Sequence, residues 1–66
     1  MIKLRDLIML IDMDNRIDLD GDVNLDWFNP NNSAMMQKYG DMIVISLNSY
    51  DYNWDYTVYT LTVKYN

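Results

Sequence analysis

Cysteine and histidine are both missing from this chain. Without thiols there is no disulfide framework and no thiolate metal site. Without imidazole the commonest metal ligand is gone, and so is the one side chain that titrates near neutrality. Glutamate is missing too: all ten acids are aspartates, set against five Lys and Arg, for a net charge of −5. Gly21 and Gly40 are the only glycines, so a Gly-rich phosphate cradle has no material. No apolar run approaches the ~20 residues of a membrane span; residues 8–11 are cut off by Asp6 and Asp12. No basic segment leads into a long apolar one, as a signal peptide requires. A P-loop, a dinucleotide fingerprint and the Ser-His-Asp and Cys-His sets are all absent. These absences predict a cytoplasmic protein that is not an enzyme, carries no metal or cofactor, and works by binding.

Sixty-six residues make one domain, 1–66, and a chain this short buries only about 60% of the surface its unfolded form exposes. Domains of this size are commonly stapled by disulfides, a metal or a partner subunit. With the first two excluded, a homo-oligomer is expected. The negative charge serves solubility and also favours a partner with a basic surface. Lys3, Arg5, Arg16, Lys38 and Lys64 are scattered, whereas phosphate neutralisation needs clustered cations, so direct nucleic-acid binding is not expected.

Leu4, Leu7, Ile8 and Ile11 recur at helical spacing and predict a helix over residues 4–12. Ile17 and Leu19, then Val23, Leu25 and Trp27, alternate with polar residues around Asp20-Gly21. That dipeptide is a two-residue hairpin signal because the turn needs positive φ, so a hairpin of 16–19 with 22–28 is expected. Residues 29–32 read as a loop. Ser33 is a candidate N-cap and Gly40 a candidate residue just past a helix end, with one to two helical turns between. Ile43, Ile45 and Leu47 alternate, as do Tyr59, Leu61, Val63 and Tyr65, giving two antiparallel strands joined by a loop over 48–55. The predicted fold is α+β: a four-stranded, mainly antiparallel sheet with a short N-terminal helix on one face and a short central helical turn. One helix cannot cover both faces. Met42, Val44, Val58 and Tyr56 are assigned to the uncovered face, and Met42, Val44 and Val58 to an oligomer interface.

Three constellations bear on function. Asp18, Asp20, Gly21 and Asp22 look like part of a calcium loop. With Gly21 at the sixth position, however, the first falls on Arg16 and the twelfth on Trp27, neither of them a ligand, so a solvated turn is the better reading. Asp18, Asp20, Asp22 and Asp26 form an outward row that could mimic phosphates and pair with Arg and Lys of a partner. Tyr50, Tyr52, Trp54 and Tyr56 recur at every second position, and an extended backbone puts all four rings on one side. Tyr and Trp are enriched in interface hot spots; the competing reading is that Trp54 and one or two tyrosines complete a small core. Met35 and Met36 beside Tyr39 offer a second adaptable surface or, more simply, core filling.

Lys3, Asp6, Leu7, Ile8, Ile11 and Asp12, then residues 17–19, then Ser46 and residues 61–63, follow a pattern of short helix, hairpin, brief central helical turn and two closing strands. In this the chain resembles small proteins encoded by phages and prophages of Gram-positive bacteria. The likeness spans most of the chain but contains no catalytic motif. Members with an assigned activity are commonly inhibitors of host defence, anti-CRISPR proteins among them, and act by binding. The resemblance therefore implies an inhibitor of a bacterial defence or host protein. The alternative is an assembly subunit whose apolar face serves only self-association. The tyrosine-rich stretch 50–56 and the Asn-Pro-Asn-Asn segment depart from the pattern, and no functional residue carries over.

Overall fold

The computed structural model describes residues 1–12 and 14–66. In chain order they form β1 (Ile2–Lys3), α1 (Leu4–Ile8), β2 (Arg16–Gly21), α2 (Ser33–Tyr39), β3 (Ile43–Tyr52) and β4 (Tyr56–Lys64). The fold is α+β: a curled, mixed and mostly antiparallel sheet in the order β1-β3-β4-β2, with two short helices. β3 pairs antiparallel with β1 and β4, whereas β2 runs parallel to β4.

The α1 helix is shorter than its periodicity predicts. After Ile8 the backbone tightens into three-residue turns, Leu10 N–H donating to Leu7 O and Ile11 N–H to Ile8 O. Lys3 offers no side-chain cap. Leu4 N–H instead donates to Met42 O at 2.8 Å and Arg5 N–H to Gly40 O at 2.9 Å, so the α2–β3 turn satisfies the helix's first free donors. At α2 the N-cap is Asn32, whose side chain accepts from Met35 N–H at 3.1 Å, one residue ahead of the expected Ser33. Gly40 closes that helix in ordinary right-handed geometry.

The expected hairpin of 16–19 with 22–28 does not form as such. Gly21 does adopt positive φ, +97°, but the turn sends Asp22 N–H to Val63 O at 2.9 Å and keeps the chain beside β4. β2 aligns residues 16–21 with 58–63, and the following segment returns only as a single antiparallel bridge, Leu19 with Leu25. Trp27 then takes φ +57°, which breaks the alternation. Trp27 faces out and Phe28 is buried in its place. A Cβ on Gly21 would stand 2.4 Å from Val63 O in a backbone that L-residues rarely adopt. Gly21→Ala is therefore expected to destabilise the fold by at least ~1–3 kcal/mol, read as a lowered thermal midpoint.

The core lies on one face of the sheet: Leu4, Ile8, Ile17, Leu19, Phe28, Met42, Leu61 and Val63, with Met35, Met36, Tyr39 and Val44 packed against them. Met35, Met36 and Tyr39 thus act as core filling, and the Tyr39 ring meets Phe28 edge-on at 6.3 Å.

The assignment of Met42, Val44 and Val58 to an open apolar face is corrected. Met42 and Val44 belong to the helix-side core, and Val58 is fully buried. The register shows what the opposite face carries. Its rows across β3, β4 and β2 are Tyr50–Val58–Arg16, Asn48–Thr60–Asp18 and Ser46–Thr62–Asp20. This face is polar in its middle rows and can meet water there, whereas Ile43 and Val58 are buried on it and Tyr50, Tyr52 and Tyr56 make its hairpin end aromatic.

Candidate functional site

β3 and β4 form one long antiparallel ribbon that stays paired as far as Tyr52 with Tyr56. Most of the predicted 48–55 loop is thus strand, and the turn is only residues 53–55. Asp55 N–H donates to Tyr52 O at 2.9 Å, with Asn53 at φ +48° and Trp54 at φ +65°. Two successive positive φ values are the mark of the turn that matches strand twist, and its second position ordinarily belongs to glycine. Here it holds a tryptophan that is 99% exposed. The reading of Trp54 as core is thereby excluded: a bulky residue sits in strained backbone with no packing to compensate.

Behind the tip, rings continue along the outer face. Tyr52 and Tyr56 stack at 5.3 Å with an interplanar angle of 20°. Tyr56 meets Trp27 at 5.8 Å and 52°. Arg16 lies over the Trp27 ring, its guanidinium carbon 4.7 Å from the centroid. The expectation of four rings on one side holds in modified form. Tyr50 and Tyr52 share a face of β3, Tyr56 joins them from β4, and Trp54 caps the end. The member missed from sequence is Trp27, whose positive φ turns it onto this face; regular strand alternation had assigned it to the core.

Arg16 fixes the far end of the strip. Its Nε donates to Asp18 Oδ1 at 2.8 Å, and Asp26 Oδ2 lies 3.7 Å from its Nη2. The same Asp18 oxygen accepts from Trp27 N–H at 3.0 Å, which stabilises the turned-out tryptophan. The hydrogen bond to Asp18, with the charges of Asp18 and Asp26, raises the Arg16 pKa above its ordinary value against the opposing effect of burial. Arg16 is therefore a structural cation already neutralised by its neighbours.

The predicted aspartate row is split up. Asp18 is engaged by Arg16 and the Trp27 amide. Asp20 is half-buried, with Oδ1 enclosed and without a partner among the described residues. Asp22 Oδ2 accepts from Tyr65 N–H at 3.0 Å and so fastens the end of β4. Asp26 lies beside the strip, 75% exposed, with Oδ2 3.7 Å from Arg16 Nη2. The acids lining the two shallow grooves either side of Tyr56, of about 380 and 310 Å³, are Asp14 in one and Asp51 and Asp55 in the other; Asp51, opposite Thr57, projects from the face of β3 that Tyr50 and Tyr52 do not share. Asp51 Oδ1 also accepts from Thr57 Oγ1 at 3.0 Å, and Asn15 Oδ1 accepts from Thr57 N–H at 3.0 Å, which ties both grooves to β4.

Among the described residues, no group of three or more His, Cys, Asp or Glu is placed to hold a metal ion, and no helix is long and apolar enough to cross a membrane. No family model, curated protein or solved structure matches this chain.

Proposed function

We propose that this protein acts by protein–protein contact, presenting the Trp54 tip and the Tyr52–Tyr56–Trp27 strip to a basic site on a bacterial host or defence protein and blocking it. The observation that carries this reading is Trp54 itself, fully exposed on strained backbone at the end of a stiff ribbon. A folding role would favour glycine there, whereas exposed aromatic anchors are what binding surfaces use. The rim supports a partner of a particular chemistry. Trp54, Tyr56, Asp51 and Asp55 line one groove, and aromatic faces flanked by carboxylates suit a Lys or Arg side chain. The inhibitor role follows from the resemblance to phage-encoded proteins, and the open grooves beside Tyr56 suit contact with another protein's surface.

Affinity capture from a bacterial lysate tests this. The wild-type chain is expected to retain a discrete protein at low salt and release most of it at high salt, because rim charges are screened within about 8 Å at physiological ionic strength. Tyr52→Ala removes one ring of a stacked pair on the surface. It is expected to cut capture by roughly tenfold or more, on the scale of about 1.4 kcal/mol per decade, while the circular dichroism spectrum stays unchanged. Retention of the same protein by Tyr52→Ala and Trp54→Ala alike, at either salt, would contradict the proposal.

A further inference from the structure

The two outer edges of the sheet are treated very differently. On β2 the edge is covered: Leu19 exchanges two backbone hydrogen bonds with Leu25, at 2.7 and 2.9 Å, and Phe28 N–H donates to Ile17 O at 2.7 Å. On β3, among the described residues, the edge is covered only by β1, which pairs with Ile43 and Val44 and then ends. A bulge follows between Val44 and Ser46, and from Ser46 to Tyr52 the strand runs regularly, paired on its β4 side alone. This open stretch, SLNSYDY, contains no lysine and no proline, and Asp51 is its one charge. It lacks the usual devices that keep an edge from pairing. Leu47, Tyr50 and Tyr52 along it are each 45–55% exposed.

We propose that residues 46–52 of β3 pair antiparallel with the same segment of a second copy, about a two-fold axis through Ser49. Two features select this occupant and this register. Directly opposed residues of an antiparallel pair point to the same face, so a two-fold pairing must match positions of equal parity. Ser49 is the midpoint of the regular segment, and centring there uses the whole of it: Ser46 faces Tyr52, Leu47 faces Asp51, Asn48 faces Tyr50, and Ser49 faces itself. The pairing ends where the bulge and β1 begin.

The charges agree with this arrangement. The two Asp51 carboxylates stand about 14 Å apart along the strands, beyond the screening length of about 8 Å. Each acidic hairpin end, with Asp51 and Asp55, is directed toward the end of the other sheet where Lys3 and Lys64 flank Ile43 in register. The axis is perpendicular to the sheet, so both aromatic strips lie on the same side of one continuous sheet. The contact uses the backbone edge of β3 and shares Tyr52 and Asp51 with the partner site proposed above, while Trp54, Tyr56 and Trp27 lie outside it.

The absence of cysteine makes the register directly testable. In Ser49→Cys the two thiols face each other, with Cα atoms about 4.5–5.5 Å apart, within disulfide range. Mild oxidation of the folded protein is expected to give a covalent dimer in high yield, whereas Leu47→Cys gives little. In light scattering the unmodified chain is expected to show a concentration-dependent mass rising toward twice 7.9 kDa. Ser49→Lys opposes two lysines and is expected to remain a monomer at the same concentrations with its circular dichroism unchanged. A mass of one chain at every concentration, a dimer that persists in Ser49→Lys, or equal cross-linking at positions 47 and 49 would each overturn the proposal.

Discussion

Trp54→Gly is expected to make the protein more stable and, at the same time, to abolish its capture of a partner. Left-handed backbone costs a bulky L-residue about 1–2 kcal/mol, and at 99% exposure Trp54 has almost no packing to set against that. Glycine after Asn53 creates an Asn-Gly pair, the preferred sequence for this turn. For a domain of this length each 1 kcal/mol moves the melting temperature by about 4–8 °C, so a rise of several degrees is expected in a thermal scan. Loss of an aromatic anchor worth about 2 kcal/mol or more would weaken binding about thirtyfold or more in a calorimetric titration. The opposite signs matter, because a residue retained for folding cannot give both. A lowered melting temperature would place Trp54 in the fold.

Leu61→Ala is expected to remove a large share of the protein's stability. Leu61 is fully buried on the strand between β2 and β3, in register with Leu19 on one side and Leu47 on the other. Truncating a buried leucine costs about 2–5 kcal/mol, the higher figure applying where neighbours cannot collapse into the gap. Leu61 is held by strands on both sides, which limits such collapse. A domain of this size has about 3–10 kcal/mol in total, with no disulfide to constrain the unfolded chain. Urea titration should show a midpoint reduced by half or more. A shift smaller than that of Gly21→Ala would mean that the core is centred elsewhere.

The fold class and most elements were legible because they depend on local periodicity. The alternation through residues 43–47 and 59–65 marks β3 and β4, and the apolar spacing from Leu4 marks α1. The pairing of β2 was not legible. Asp20-Gly21 signals a tight turn wherever it leads, and it is the offer of a full register along β4 that draws β2 into a parallel alignment. β1 was invisible because two residues carry no period. The assignment of Met42 and Val44 failed for a related reason: faces near the start of β3 depend on the bulge between Val44 and Ser46, which reverses parity along that strand; Val58 does lie on the outer face but is fully buried there. Of the candidate site, the rings at 50, 52, 54 and 56 were visible as a pattern. Trp27 was not, because its place depends on one positive φ and one hydrogen bond to Asp18. The aspartate row looked uniform in sequence, but only three-dimensional contacts show that Asp18 holds Arg16 and the Trp27 amide, Asp22 fastens the end of β4, Asp20 is half-buried, and Asp26 is a mostly exposed partner of Arg16.

The central claim is that recognition occurs on the outer face of the β3–β4 ribbon and at its tip. Amide chemical-shift mapping, with a captured partner titrated into isotope-labelled protein, tests it most directly. The largest changes are expected at residues 52–56, Trp27, Asn15 and Arg16, including the indole N–H groups of both tryptophans, while α1 and α2 stay unperturbed. Changes confined to the helices, with the Trp54 indole signal unmoved at saturation, would contradict it.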